Sequence, residues 1–240
     1  MKIPSIEELL QAGVHFGHRV SRWHPKMKPF IFTDRNRVHI LDLEATQKQL
    51  ETVLAEVKKM AQEGKKILFV STKPQAKHIV KQAAIDCGMP YLTDRWIGGV
   101  LTNFVEIKKL VRKYVSLKEQ RDSGALEKYT KKERLDIERS IEKMDAYLAG
   151  LVDLDRMPDA LFVPAVQREK TAMNESERMN IPVIGVCDSN ANPRSVEYII
   201  PANDDAVKSI TLMVSLVRDA IKEGVAERAK GDDQGAVVKE

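Results

Sequence analysis

"KKILFVSTKPQAKHIVKQAAIDCGMPYLTD", residues 65–94, decides the fold. Residues 65–71 are a short apolar run that reads as a strand. "KPQAKHIVKQAAIDCG" follows as a helix, with Pro74 in its first turn, Ile79 and Ala83 facing inward, and Gly88 at its end. "MPYLTD" (89–94) is then another short strand. Outward from this unit the alternation repeats. "RVHILDL" (37–43) is an apolar run read as a strand, and the helix after it carries Leu50, Val53, Leu54, Val57 and Met60 at helical spacing until Gly64 stops it. Toward the C-terminus come "DALFVPA" (159–165), a helix over "REKTAMNESERMN", "IPVIGVCD" (181–188), "VEYIIP" (196–201) and the helix "NDDAVKSITLMVSLVRDAIKEG". Apolar strands separated by amphipathic helices predict an α/β fold: a mainly parallel sheet with helices on both faces.

The middle of the chain breaks that rhythm. Ile107, Leu110, Tyr114 and Leu117 step by three and four, as do Ile137, Ile141, Met144, Leu148 and Leu151, so each segment predicts a helix with a narrow apolar stripe on a charged surface. "DSGALEKYT" supplies a turn with Gly124, and Thr130 with Glu133 is a capping-box pattern that starts the second helix. The expected organisation is an α/β domain over 1–104 and 152–225, an inserted antiparallel coiled-coil hairpin over 105–151, and a charged, Gly-containing tail over 226–240 that frays into disorder.

With 39 Lys+Arg against 35 Asp+Glu the formal charge of the 240-residue chain is only +4, so a polyanionic partner has to be argued from where the cations cluster. Cys87 and Cys187 form no CxxC pattern, which argues against a zinc ribbon, a redox motif or a secreted disulfide framework and fits a reducing cytoplasm. The N-terminus lacks the apolar core of a signal peptide, and no stretch has the length to span a bilayer. A nucleotide site at the carboxyl edge of the sheet lacks its fingerprints: there is no G-x-G-x-x-G after a strand and no G-x-x-x-x-G-K-[ST], and "STKPQ" after the strongest strand has no glycine. Gly98 and Gly99 read as a sharp turn or a close backbone approach. Ser71, Ser189 and Cys187 lie near strand ends without a local His or a G-x-S-x-G elbow, so no nucleophile is assigned.

"AGVHFGHRVSRWHPKMKPFIF" (12–32) holds three histidines and no acid. His15 and His18 form H-x-x-H. Metal ligation would need partners such as Asp188 and Asp204 or Asp205 from the far end of the chain, and the plainer alternative is that the histidines brace an irregular segment. For Asp204 and Asp205 the plain alternative is complementing a helix dipole. The rest of the stretch suits RNA: Arg19, Arg22, Lys26 and Lys28 offer phosphate contacts, Trp23 and Phe30 stacking faces, and His24 a donor, while "FTDRNR" adds Arg35 and Arg37. Pro25 and Pro29 are expected to keep the run extended and its cations in a line. The hairpin adds Lys108, Lys109, Arg112, Lys113, Lys131, Lys132 and Arg134, interspersed with acids that also fit an ordinary solvated surface.

The blocks "LLQAGVHFGHRVSRWHPKMKPFIF", "VHILDL", "FVSTKPQA", "RWIGGVLTNF", "PDALFV", "NIPVIGVCDSN" and "EYIIPANDDAVKSI" resemble, in that order and across almost the whole chain, the bacterial small-subunit ribosomal protein S-two family. The resemblance implies a flavodoxin-like or Rossmann-like body with a protruding coiled-coil hairpin. It implies a non-enzymatic constituent of the cytoplasmic small ribosomal subunit at its head-body junction, which binds ribosomal RNA, touches neighbouring proteins and supports recruitment of ribosomal protein S-one. It implies no membrane, no small-molecule substrate and no cofactor; the alternative is a metal- or nucleotide-binding protein acting at the sheet edge. RNA binding carries over onto Arg19, Arg22, Trp23, His24, Lys26, Lys28, Arg95, Trp96 and Asn103, which stand in matching blocks. The departures, Pro164 and Ala165 after "PDALFV", Ala202 before "NDDA" and Ser189 in "DSN", fall at the sheet's carboxyl edge and weaken a metal or pocket there, but leave the basic run intact.

Overall fold

The computed structural model describes the backbone of residues 3–237 and the side chains of residues 3–230. α1 (Ile6–Gln11) starts in a capping box: the Ser5 hydroxyl accepts from the Glu8 amide, and the Glu8 carboxylate accepts from the Ser5 amide. β1 (Phe16–Arg19), β2 (Ile31–Arg35) and β3 (Val38–Leu41) then form an antiparallel sheet of their own, in the order β1-β3-β2. The run 37–43 therefore does not enter the parallel sheet. Asn36 and Arg37, at φ 52° and 62°, close β2 onto β3 in a two-residue loop, the geometry that suits a hairpin, before any crossover helix intervenes.

α2 (Leu43–Gln62) begins at Asp42, whose carboxylate accepts from the amides of Glu44 and Ala45, and buries Leu50, Val53, Leu54, Val57 and Met60 as their spacing predicts. β4 (Ile67–Val70), β5 (Tyr91–Leu92), β6 (Ala160–Val163), β7 (Val183–Cys187) and β8 (Tyr198–Pro201) form one parallel sheet, ordered β5-β4-β6-β7-β8. The chain steps from β4 to β5 on one side and returns to β6 on the other, so the strand order reverses between β4 and β6.

α3 (Lys77–Cys87) starts later than Pro74 suggests, because the Lys73 carbonyl gathers the amides of both Ala76 and Lys77 and makes 74–76 a turn. α4 (Phe104–Asp122) and α5 (Lys131–Leu148) are the helical insertion; α6 (Lys170–Met179) and α7 (Val207–Val237) complete the body. Strand alternation divides the core. Ile67 and Phe69 of β4 pack with α2, α3 and α7, while Leu68 and Val70 face the side that holds α6 and the base of the insertion. α7 runs through 226–237, where the sequence suggests disorder. Ala226, Glu227, Arg228 and Ala229 are good helix formers, and Glu227 is tied to Lys58 at 2.6 Å. Residues 238–240 lie outside the described residues.

In the insertion Ile107 and Tyr114 of α4 and Ile141, Met144 and Leu148 of α5 are buried, and the Tyr114 hydroxyl donates to Asp145. Val111, half-buried, takes the second step of the seam, and Leu110 is 41% exposed. The expected capping box is present, with Thr130 accepting from the Glu133 amide. Among the described residues no helix is long and apolar enough to cross a membrane.

Candidate nucleic-acid interface

Pro25 and Pro29 do not keep the basic run extended. Pro25–Phe30 winds into a 3-10 helix, with Pro25 in its first turn and His24 as its cap, the His24 Nδ1 accepting from the Lys26 amide at 3.2 Å. Pro at the first helical position sacrifices no hydrogen bond, and burying Met27 completely fixes the turn against the body. The cations are thus spread over a turn, two strands and a hairpin instead of a line. Arg19, Arg22, Lys26, Lys28, Arg35 and Arg37 are all exposed, and among the described residues none has an ion-pair partner.

The aromatic residues divide differently from the expectation. Trp23 is half-buried, its ring 5.3 Å from that of His39, and Phe30 is half-buried against the core, so each shows only part of its ring to solvent. Phe32 is 75% exposed and Phe16 is 51% exposed. Sequence reasoning missed both, because an aromatic residue in an apolar run reads as core until the sheet that the run joins is known.

The other expected contacts scatter. Arg95 and Asn103 are exposed, and Asn103 stands before α4 without capping it. Trp96 is 9% exposed and donates its indole N–H to Glu175 at 3.0 Å, which withdraws it from any RNA surface. Lys108 donates to the Asp155 carbonyl, Lys109 pairs with Glu106 at 2.6 Å, and Arg112, Lys113, Lys131, Lys132 and Arg134 have no ion pair among the described residues.

The candidate metal residues come together in part. Ligand atoms of His18, Asp188 and Asp204 lie within 4.8 Å of one another, while His15 sits apart with its ring 4.0 Å from Phe16. Two of the chain's own side chains, His18 and Lys73, already serve these acids. His18 Nδ1 is 3.0 Å from Asp188 and its Nε2 is 3.3 Å from Asp205; Lys73 Nζ is 2.8 Å from Asp204 and 2.7 Å from Asp205. The hydrogen bond to Asp188, helped by the nearby acids and opposed by burial, raises the His18 pKa. Burial and the neighbouring Asp188 raise that of Asp204, against the pull of Lys73. Lys73, which the sequence puts at the head of a helix without giving it a role, is buried here; burial opposes its charge, and the two acids outweigh burial and raise its pKa.

Around this cluster the N-terminal sheet is pinned to the body. The Ser189 hydroxyl accepts from the His18 amide at 2.8 Å, and the Ser189 carbonyl accepts from the His24 amide at 2.8 Å. Gly17 permits the approach: a Cβ there would lie 2.9 Å from Ser189 Oγ and 3.1 Å from the His39 carbonyl. Nucleophilic chemistry has no support at this edge, because burial pushes the Cys187 thiol pKa up, away from the thiolate. Nor is there a phosphate cradle after β4, where Lys73 turns inward and the Thr72 amide and hydroxyl donate to Glu169.

A family model described as Ribosomal protein S2 matches residues 9–224. Curated relatives named small ribosomal subunit protein uS2 are similar over most of the chain. That of Coprothermobacter proteolyticus is 46% identical over 93% of this chain and 84% of its own length. The Salinibacter ruber protein is 45% identical over 93% and 70% respectively. The Flavobacterium johnsoniae protein is 46% identical over 93% and 88%.

Proposed function

The chain belongs to the ribosomal protein S2 family, a structural and not an enzymatic family, and from that membership we propose that it binds ribosomal RNA as a constituent of the cytoplasmic small ribosomal subunit. The observation that carries the reading is the concentration of exposed, unpaired cations at Arg19, Arg22, Lys26, Lys28, Arg35 and Arg37 on a small sheet fastened to a rigid body. Cations not held in ion pairs are free to neutralise phosphates, and a preorganised surface gives up less entropy on binding. Arg112, Lys113, Lys131, Lys132 and Arg134 on the insertion extend the contact to neighbouring RNA.

Beside the cations lies a different surface. Ile6, Leu10, Phe16 and Phe32 are each exposed by 42% or more, and Ile6, Leu10 and Phe32 border a cavity of about 350 Å³. Such an apolar patch suits a protein neighbour, and we assign it to the recruitment of ribosomal protein S-one.

Replacing Arg22, Lys26 and Lys28 together by Gln tests the RNA reading. Removing three phosphate contacts lowers the slope of log affinity against log salt by about 2 to 3, and incorporation into small subunits falls. Unchanged incorporation would sink the assignment.

A second reading is favoured by the convergence of His18, Asp188 and Asp204. One imidazole and two carboxylates are a donor set for a borderline divalent ion such as zinc, with Lys73 displaced from Asp204. Elemental analysis of the purified chain decides it: stoichiometric zinc supports a metal, and its absence leaves the ion-pair cluster as the role of these residues.

A further inference from the structure

A cavity of about 300 Å³ opens where the strand order reverses, over the carboxyl ends of β5, β4 and β6. Such crevices are where open α/β sheets hold their ligands. Thr72, Arg95, Arg168, Lys170 and Thr171 line it. Arg95, Arg168 and Lys170 are exposed and, among the described residues, have no ion-pair partner.

The two acids that border the cavity are already engaged. Asp94 pairs with Lys77 at 2.8 Å, and buried Glu169 accepts from the Thr72 amide and hydroxyl. Lys170 and Thr171 also begin α6, whose leading amides have no partner within the helix. Three unpaired cations, the Thr171 hydroxyl and a helix start therefore converge on one polar hollow. We propose that this hollow is a phosphate-binding site, distinct from the N-terminal basic sheet, and that it takes a single phosphodiester of the RNA backbone.

The chemistry limits the ligand to the phosphate itself. No glycine lines the cavity, so no backbone cradle surrounds a pyrophosphate, and Trp96, the aromatic residue on its wall, is buried and bound to Glu175. A nucleotide would find neither a diphosphate loop nor a stacking face. One phosphate on a strand that passes over the opening needs neither. The identity of the source rests on the RNA reading above; the phosphate chemistry does not.

The test pairs two measurements on the full chain. Arg168→Gln with Lys170→Gln is compared with Lys48→Gln and Lys208→Gln, exposed and unpaired cations on α2 and α7 that match the loss of charge. In small-subunit RNA binding we expect the first pair to lower affinity about tenfold and the salt slope by about 1 to 2, and the control pair to change the slope by much less. In parallel, inorganic phosphate titrated into labelled protein should shift the amides of Thr72, Lys170 and Thr171 in the unsubstituted chain and not in the R168Q/K170Q variant.

If the phosphate-induced shifts are lost in the variant while RNA binding is untouched, the hollow is a phosphate site whose occupant is a free phosphate. If the unsubstituted chain fails to bind RNA yet shows the shifts, the RNA reading fails and the phosphate site stands. Absence of both the shifts and any slope change beyond the control overturns the proposal. Circular dichroism of each variant guards against misfolding, which exposed side chains make easy to avoid.

Discussion

Glu175 shows how a single buried charge organises a glycine-containing turn. Its carboxylate is 6% exposed and accepts from the Trp96 indole and from the amides of Gly99, Leu101 and Thr102, so the backbone of 99–102 is folded around one side chain of α6. Gly99, at φ 93°, supplies the conformation that brings these amides to one point. Burial alone would raise the Glu175 pKa, and the donors outweigh it and lower the pKa below the ordinary 4.5. Glu175→Gln should therefore destabilise the chain by about 3 kcal/mol, because the new NH₂ faces donors and a charge-assisted network is lost. At this chain length that is a fall of roughly 6–12 °C in melting temperature. The sign of the pH dependence follows from a folded-state pKa below the unfolded one: the contribution is present above about 4.5 and is lost as pH falls through the lowered folded-state value. The difference in unfolding midpoint between the native chain and E175Q should hold from neutral pH down to about 4.5 and narrow below it. A gap that does not narrow in acid would show that packing, not charge, is what Glu175 supplies.

At the scale of elements, the β2–β3 hairpin sets two demands against each other. Arg37 stands at φ 62°, where a Cβ costs about 1–2 kcal/mol, yet it belongs to the exposed basic surface. Arg37→Gly should raise stability by about 0.5–1 kcal/mol in urea unfolding, the relief of strain exceeding the added entropy of the unfolded chain. The same substitution should lower the salt slope of RNA binding by about 1. A stability loss would mean that the loop is held by contacts of the Arg37 side chain and not by its backbone geometry. This hairpin also marks where sequence reading stops. β4 to β8, α2 and α6 were legible because unbroken apolar runs and helical spacing report burial directly. The independent sheet was not, because "NR" is a poor advertisement for a positive-φ loop and an apolar run does not say which sheet it joins. Leu110 failed for a related reason: the three-four stepping allows either Leu110 or Val111 at one position, and only the facing helix selects Val111. At the interface the cations were legible as composition, whereas the burial of Trp96 and the exposure of Phe32 depend on partners far away in the chain.

The whole molecule joins a basic antiparallel sheet made by residues near its beginning to a strand end contributed by residues near 189, so the RNA affinity proposed for that sheet would depend on folding through a few long-range hydrogen bonds. Ser189 carries two of them, one through its hydroxyl to the His18 amide and one through its carbonyl to the His24 amide. Ser189→Ala removes the first and leaves the second, and its methyl group fits where the buried side chain already lies. The His18 amide then loses its acceptor, at a cost of about 1–3 kcal/mol. That cost falls on the attachment of the small sheet, because the parallel sheet is independently held by two apolar layers. Hydrogen exchange of the amides in β1 and β3 should therefore accelerate about tenfold or more, with β4 and β6 unchanged. No cation is removed, so the salt slope of RNA binding should stay as it is while affinity falls, the loss being the ordering entropy that the attached sheet does not have to give up. Exchange that accelerates equally in β4 and β6 would show that the two sheets unfold as one cooperative unit, and the basic surface would then owe its rigidity to the whole fold rather than to Ser189.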